Sequence, residues 1–227
     1  NIVAIGAMGY DNNRGVVRVY ERDVNETTGW KQIGNDILGA AENDYFTTDN
    51  FLNQTGSMMG LAMSDNGNIV AIGAPEHDTR KGHVRVYERD VNETIGWKQI
   101  GDGIDGESNN VTGPDDDDFS GWAIAMSSEG DIIAIGATHH DNLGKKSVGH
   151  VRVYERDVNE TIGWKLIGDI NGNQEYGFFG YSLSMSGDGA TFITGAIGED
   201  NEIENNDNIE DTGHTSIHHC TINKTLT

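Results

Sequence analysis

Cysteine and proline are nearly missing from this 227-residue chain: it has one cysteine, Cys220, and two prolines, Pro75 and Pro114. A lone cysteine excludes an internal disulfide framework, which leaves packing and hydrogen bonds to hold the fold. Both prolines stand at the ends of strand-like runs, so no run is broken internally. Basic residues are also scarce, 15 against 37 acids, giving a formal charge of −22. That excess repels phosphate backbones and anionic membrane surfaces, so nucleic acid is not an expected partner. No run of eighteen apolar residues occurs, and no membrane-inserted helix is expected within the segment. An initiating Met and an apolar leader are absent as well. The chain starts in mid-pattern with Asn1-Ile2-Val3-Ala4-Ile5-Gly6-Ala7, and it reads as part of a longer protein.

What the chain does have is repetition. Residues 82–98, GHVRVYERDVNETIGWK, return unchanged at 149–165, and residues 15–31 differ from them at two positions. Gly15, Gly82, Gly149 and Gly213 fall in register, with spacings of 67, 67 and 64 residues. Helical solenoid repeats run to ~34–47 residues; a longer period fits a unit of several strands with generous loops. The high glycine content, 31 residues, agrees with many turns.

Four strand-like runs recur in the unit. The first is GLAMS, WAIAMS or YSLSMS, ending at Ser64, Ser127 and Ser186. The second is IVAIGA, IIAIGA or TFITGA, starting at Ile69, Ile132 and Thr191. VRVYE at Val17, Val84 and Val151 is the third, and WKQI or WKLI at Trp30, Trp97 and Trp164 the fourth. Short glycine-bearing links, SDNGN, SSEGD and SGDGA, predict a tight antiparallel hairpin between the first two. RDVNETIG predicts a longer exposed hairpin loop between the last two. In VAIGA the alternation puts Val70 and Ile72 on one side and Ala71 and Gly73 on the other, so a bulky face can settle on a neighbour's small face. Four-stranded sheets with open faces cannot stand alone, and radial stacking covers them. The expected fold is therefore all-β: a β-propeller-type repeat of four-stranded antiparallel blades, incomplete, an open arc of about three to four blades. Its expected divisions are a partial blade over 1–34 (strands two to four), blades over 35–101 and 102–168, and a divergent partial blade over 169–227.

Phe-Phe-Gly at 178–180, Phe-Ser-Gly at 119–121 and Gly-Ala-Pro at 73–75 give the chain a more specific likeness. With S-x-x-G-x-x-x-A-I-G-A, G-H-V-R-V-Y and G-W-K-Q-I-G, this pattern resembles the FG-GAP repeat of integrin alpha-subunit heads and many secreted propellers. The resemblance implies a secreted or cell-surface binding and adhesion module whose ligand is a protein or matrix component. The chain departs from it at Ser57-Met58, where Phe and Gly are expected, and in the links between the first two strands. These are too short to wrap a calcium ion that takes six to eight oxygens.

Several constellations could carry chemistry. An Asp follows each Gly-Ala pair by four residues, at Asp11, Asp78, Asp141 and Asp200, all on one expected rim. It is either an Asx-turn acceptor or one ligand of a cation site, calcium being the possible ion, or of a partner contact; no other cofactor is expected. The acidic run Asp115–Asp118 is either a solvated loop or a further cation site. His77, His139 and His140 lie beside the repeated Asp, where imidazole with carboxylate could bind zinc. His214, His218, His219 and Cys220 are a ligand set by type, but they replace the third strand and also read as divergence. Arg18, Tyr20 and Arg22, Arg85, Tyr87 and Arg89, and Arg152, Tyr154 and Arg156 share a strand face. They can grip a sugar or acidic peptide, or pair with Glu of a neighbouring sheet. Trp30, Trp97 and Trp164 can cover a blade edge or stack on a sugar ring, which keeps a lectin-type propeller binding glycans between blades as the alternative function.

Sequons at Asn25, Asn92 and Asn159, with others at Asn53, Asn110 and Asn223, point to glycosylation and an extracellular or cell-surface setting. No nucleophile elbow, phosphate-cradling loop or HExxH motif is present, and an enzyme is not expected. Remaining blades of a parent chain, or other copies, are the expected partners of the open ends.

Overall fold

The structure, a computed structural model, describes residues 1–7, 9–12, 14–39, 60–90, 96–107, 117–157, 163–198 and 213–220. They form four antiparallel sheets. The first holds β1 (Ile2–Ala7), β2 (Val16–Arg22), β3 (Trp30–Gln32) and β4 (Ile37–Leu38). The second holds β5 (Leu61–Met63), β6 (Ile69–Ala74), β7 (His83–Arg89), β8 (Trp97–Gln99) and β9 (Ile104–Asp105). A single helical turn, α1 (His77–Arg80), sits between β6 and β7. The third sheet is β10 (Ser120–Met126), β11 (Ile132–Ala137), β12 (His150–Arg156) and β13 (Trp164–Asn171). The fourth is β14 (Phe179–Met185), β15 (Thr191–Ala196) and β16 (His214–His219).

Register repeats with the sequence: Ile2 faces Glu21, Ile69 faces Glu88 and Ile132 faces Glu155. The tight hairpins close as the serines suggest, with Ser64, Ser127 and Ser186 Oγ accepting the N–H of Ile69, Ile132 and Thr191. The divergent end keeps the same register, His214 standing opposite Ala196 as His150 stands opposite Ala137. His214, His218, His219 and Cys220 are therefore an ordinary third strand and its exit. His218 lies on the Phe192 ring and His219 bonds Thr191.

The expected divisions shift in one respect. The fourth strand bulges and resumes pairing, Ile37 with Val17, Ile104 with Val84 and Ile170 with Val151. Each sheet therefore runs beyond residues 34, 101 and 168. The WKQI run alone hid this, because Gly-containing bulges separate the paired halves.

The sheets stack bulky face on small face. Val70 and Ile72 of β6 pack on Val17 and Val19 of the first sheet. Ile133 and Ile135 of β11 pack on Ala71, Val84 and Val86 of the second, and Phe192 packs on Ala134, Val151 and Val153 of the third. Apolar burial stabilises by ~25 cal/mol per Å², and these seams hold the buried apolar clusters.

Glycine lets the backbones close up at the seams. Gly121, at φ +91°, lies against Gly73, and Gly180, at φ +88°, against Gly136. A Cβ on Gly73 or Gly136 would collide with the carbonyl oxygen of Gly121 or Gly180. These contacts pair the glycine of each FSG or FFG triplet with the Gly-Ala pair of the preceding sheet.

The stack is open. Ile5 on the outer face of the first sheet is 55% exposed, and Ile193 and Ile217 on that of the last are 41% and 64% exposed.

Candidate functional site: a polar seam between the second and third sheets

The repeated Arg and Trp side chains go mostly into the seams. Arg89 meets Glu21 at 3.4 Å and Arg156 meets Glu88 at 2.8 Å, each one sheet back. Arg18 instead forks onto Asp36 in its own sheet, and that bond holds the Asp36 carboxyl below the usual range. Trp97 is buried and its Nε1 donates to the Ile33 carbonyl of the first sheet at 3.0 Å. Trp164 is buried in the next seam. Neither ring has a free face, so sugar stacking on Trp97 and Trp164 does not stand; seam packing is the reason. Trp30, with no sheet on its outer side among the described residues, is 38% exposed.

The rim aspartates lie in the β1–β2, β6–β7 and β11–β12 loops, while Asp200 falls outside the described residues. Asp141 accepts the Ser147 N–H at 2.7 Å, which organises its loop. Asp11 and Asp78 adopt left-handed backbone, φ 51° and 50°, a conformation Asp tolerates in turns. Among the described residues, none of the three joins a group of three or more metal-ligand side chains. Asn25 lies in an exposed loop where its N–H bonds Asp23; Asn92 and Asn159 fall outside the described residues.

The chemistry gathers elsewhere. Asp118, the last residue of the acidic run, is fully buried rather than solvated. Its Oδ1 accepts His140 Nδ1 at 2.9 Å and its Oδ2 accepts the Glu107 N–H at 3.0 Å. Asp117 beside it pairs with Arg80 at 3.0 Å. His140, in the loop after β11, stacks on His150, the first residue of β12, with ring centroids 3.8 Å apart. Arg152 on the same strand reaches back to the second sheet, donating to the Asp105 carbonyl at 2.9 Å and approaching Glu107 at 3.5 Å.

His150 is the group with least support. It is 0% exposed, and neither ring nitrogen has a hydrogen-bond partner among the described residues. The carboxylates of Asp169 at 3.8 Å and Asp118 at 4.0 Å lie beyond bonding reach. Burial pushes its pKa down to about 3, against the pull of Asp118 and with the help of His140 and Arg152. The ring is thus neutral at physiological pH and keeps a lone pair. Burial lowers His139 as well and raises Tyr154 to about 12.

Glu107, His140 and His150 each offer a ligand atom, and these atoms lie within 4.8 Å of one another. The sequence singled out His140 and Asp118 but neither Glu107 nor His150. Position in the repeat was the only available signal for His150, since His83 opens β7 in the same way and lies tilted against His77, ring centroids 3.9 Å apart.

No family model matches the chain, and no curated protein matches it either. Among solved structures, the crystal structure of TolB from Acinetobacter baumannii is similar over 86% of this chain, at 11% identity and a TM-score of 0.42. The chain spans 35% of that protein's length.

Proposed function

We propose that the chain is a non-enzymatic binding and adhesion module of the FG-GAP type, secreted or displayed at a cell surface. One observation carries the reading: the repeated Arg, Trp and Gly residues go largely into seams between sheets, and the loops on the rim remain to meet a partner. A scaffold that copies one loop several times suits multivalent contact better than one asymmetric reaction centre. The Gly73–Gly121 and Gly136–Gly180 contacts support the FG-GAP assignment, because they give the motif glycines a physical task. The acidic rim and the charge of −22 favour a partner that presents basic side chains. The exposed outer faces at Ile5, Ile193 and Ile217 suit further sheets of the same make, from a longer chain or from other copies.

The test is solid-phase adhesion of the chain to cells and matrix proteins. Adhesion lost on changing Asp11, Asp78 and Asp141 together to Asn, with the melting temperature kept, is the expected result; no adhesion by the parent chain would reject it.

A glycan-binding reading keeps one feature. An open polar groove between the first two sheets is lined by Arg14, His77, His83, Arg85, Gln99 and Asp105, types that bond sugar hydroxyls. Discrete glycan binding abolished by Arg85→Ala would favour it over adhesion.

A further inference from the structure

We propose that Glu107, His140 and His150 bind one divalent transition-metal ion of the zinc class and so bridge the second and third sheets. Two nitrogen donors and one carboxylate are the ligand types that zinc takes in open sites, with solvent in the fourth position. Zinc bonds of ~2.0–2.2 Å put tetrahedral donors roughly 3.4 Å apart. An ion lies in the plane of each imidazole that binds it, so the His140–His150 stack must open to take one. His150, whose ring nitrogens have no hydrogen-bond partner among the described residues, is the ring that turns, and Glu107, at 46% side-chain exposure, closes the rest of the 4.8 Å spread.

Two further observations point to an occupant. His150 is wholly buried with both ring nitrogens unpartnered among the described residues, although a buried polar group normally finds a hydrogen bond. Asp118 accepts the Nδ1–H of His140, which fixes that ring and turns the Nε2 lone pair away from Asp118; metal-bound histidines are commonly held this way. Asp118 is thus a positioning residue. Arg152 engages Glu107 Oε1 and leaves the second carboxylate oxygen for the ion. The exposed Glu107 gives the ion a route in, and the negative chain attracts cations.

The site is specific to this seam. His77 and His83 repeat the paired rings one sheet earlier, but the residue 67 positions before Glu107 in the sequence is Ala40, which offers no ligand atom. Imidazole nitrogen ligands also argue against calcium and magnesium, which take oxygen.

The experiment uses the full chain, dialysed against a chelator and titrated with Zn²⁺ alone. Binding of one equivalent, a higher melting temperature, and intense visible bands on replacement by Co²⁺ are expected; Ca²⁺ should give none of these. Glu107→Ala should weaken binding at least about tenfold, with a small fall in the metal-free melting temperature from loss of the Arg152 contact. Asp118→Asn should weaken it about 10–100-fold. Cys220→Ser, away from the site, should bind as the parent does. Should the parent bind no stoichiometric zinc, or should Glu107→Ala or His140→Gln bind it at parental strength, the proposal is overturned.

Discussion

Arg156 Nη2 donates to Glu88 Oε2 at 2.8 Å across the seam between the second and third sheets, and 67 residues earlier Arg89 meets Glu21 in the same way at 3.4 Å. The same ion pair is thus built twice by one repeated strand, because Glu of each copy faces forward and Arg faces back.

The pairs are partly exposed, so their net value is modest. A double-mutant cycle on Arg156→Ala and Glu88→Ala should give a coupling of about 0.5 kcal/mol that shrinks in 1 M salt. A coupling near zero at low salt would mean that the pair only decorates a seam held by apolar packing.

Gly136→Ala should be far more costly. The added methyl meets the Gly180 carbonyl oxygen, a backbone atom that cannot swing aside, and roughly 2–4 kcal/mol of stability should be lost in urea unfolding. Gly103→Ala, where the nearest atoms stand 3.9 Å away, should change stability little. Equal effects at both positions would refute the close approach of the sheets.

Trp97 and Trp30 occupy the same repeat position in different surroundings. Trp97→Ala empties a buried seam and removes the bond to Ile33, so it should cost about 3–5 kcal/mol. Trp30→Ala, at 38% exposure, should cost under about 1 kcal/mol by the same measurement. If the two behave alike, Trp97 does not sit in a seam.

Acid should weaken the metal-free protein through His150. Its folded pKa of about 3 lies below its ordinary value of 6.5, so between these values the unfolded chain holds more protons. The contribution is fully present above about pH 6.5 and is lost as pH falls towards 3. The groups facing it are Asp118, His140, Arg152 and Asp169. Urea midpoints should fall from pH 7 to pH 4, with a smaller fall in His150→Asn; an unchanged midpoint would show that the ring titrates in solvent.

Strand composition and order were legible because each depends on residues near in the chain. Ser64 to Ile69 closes a hairpin over five residues, and Val70 alternates with Ala71 whatever lies beyond. Repetition then fixed the register of later copies, even at His214–His219, where few letters agree with the earlier strands. The bulged second half of the fourth strand was less visible, since Ile37 and Ile104 follow glycine-bearing gaps.

The candidate site was legible only in part. His140 stood out beside the repeated Asp141, and Asp118 within an acidic run, but a run of acids gives no sign of which member is buried. Glu107 and His150 lie 43 residues apart and meet only because one sheet rests on the next.

By itself the sequence determined the pleated unit, its period and which face of each strand is oily, since alternation and turn chemistry act within a few bonds. Tertiary structure decided what the repeated polar residues are for. Stacking removes water from Trp97, Asp118 and His150 and leaves Trp30 wet, and no local pattern can encode which copy will have a neighbour.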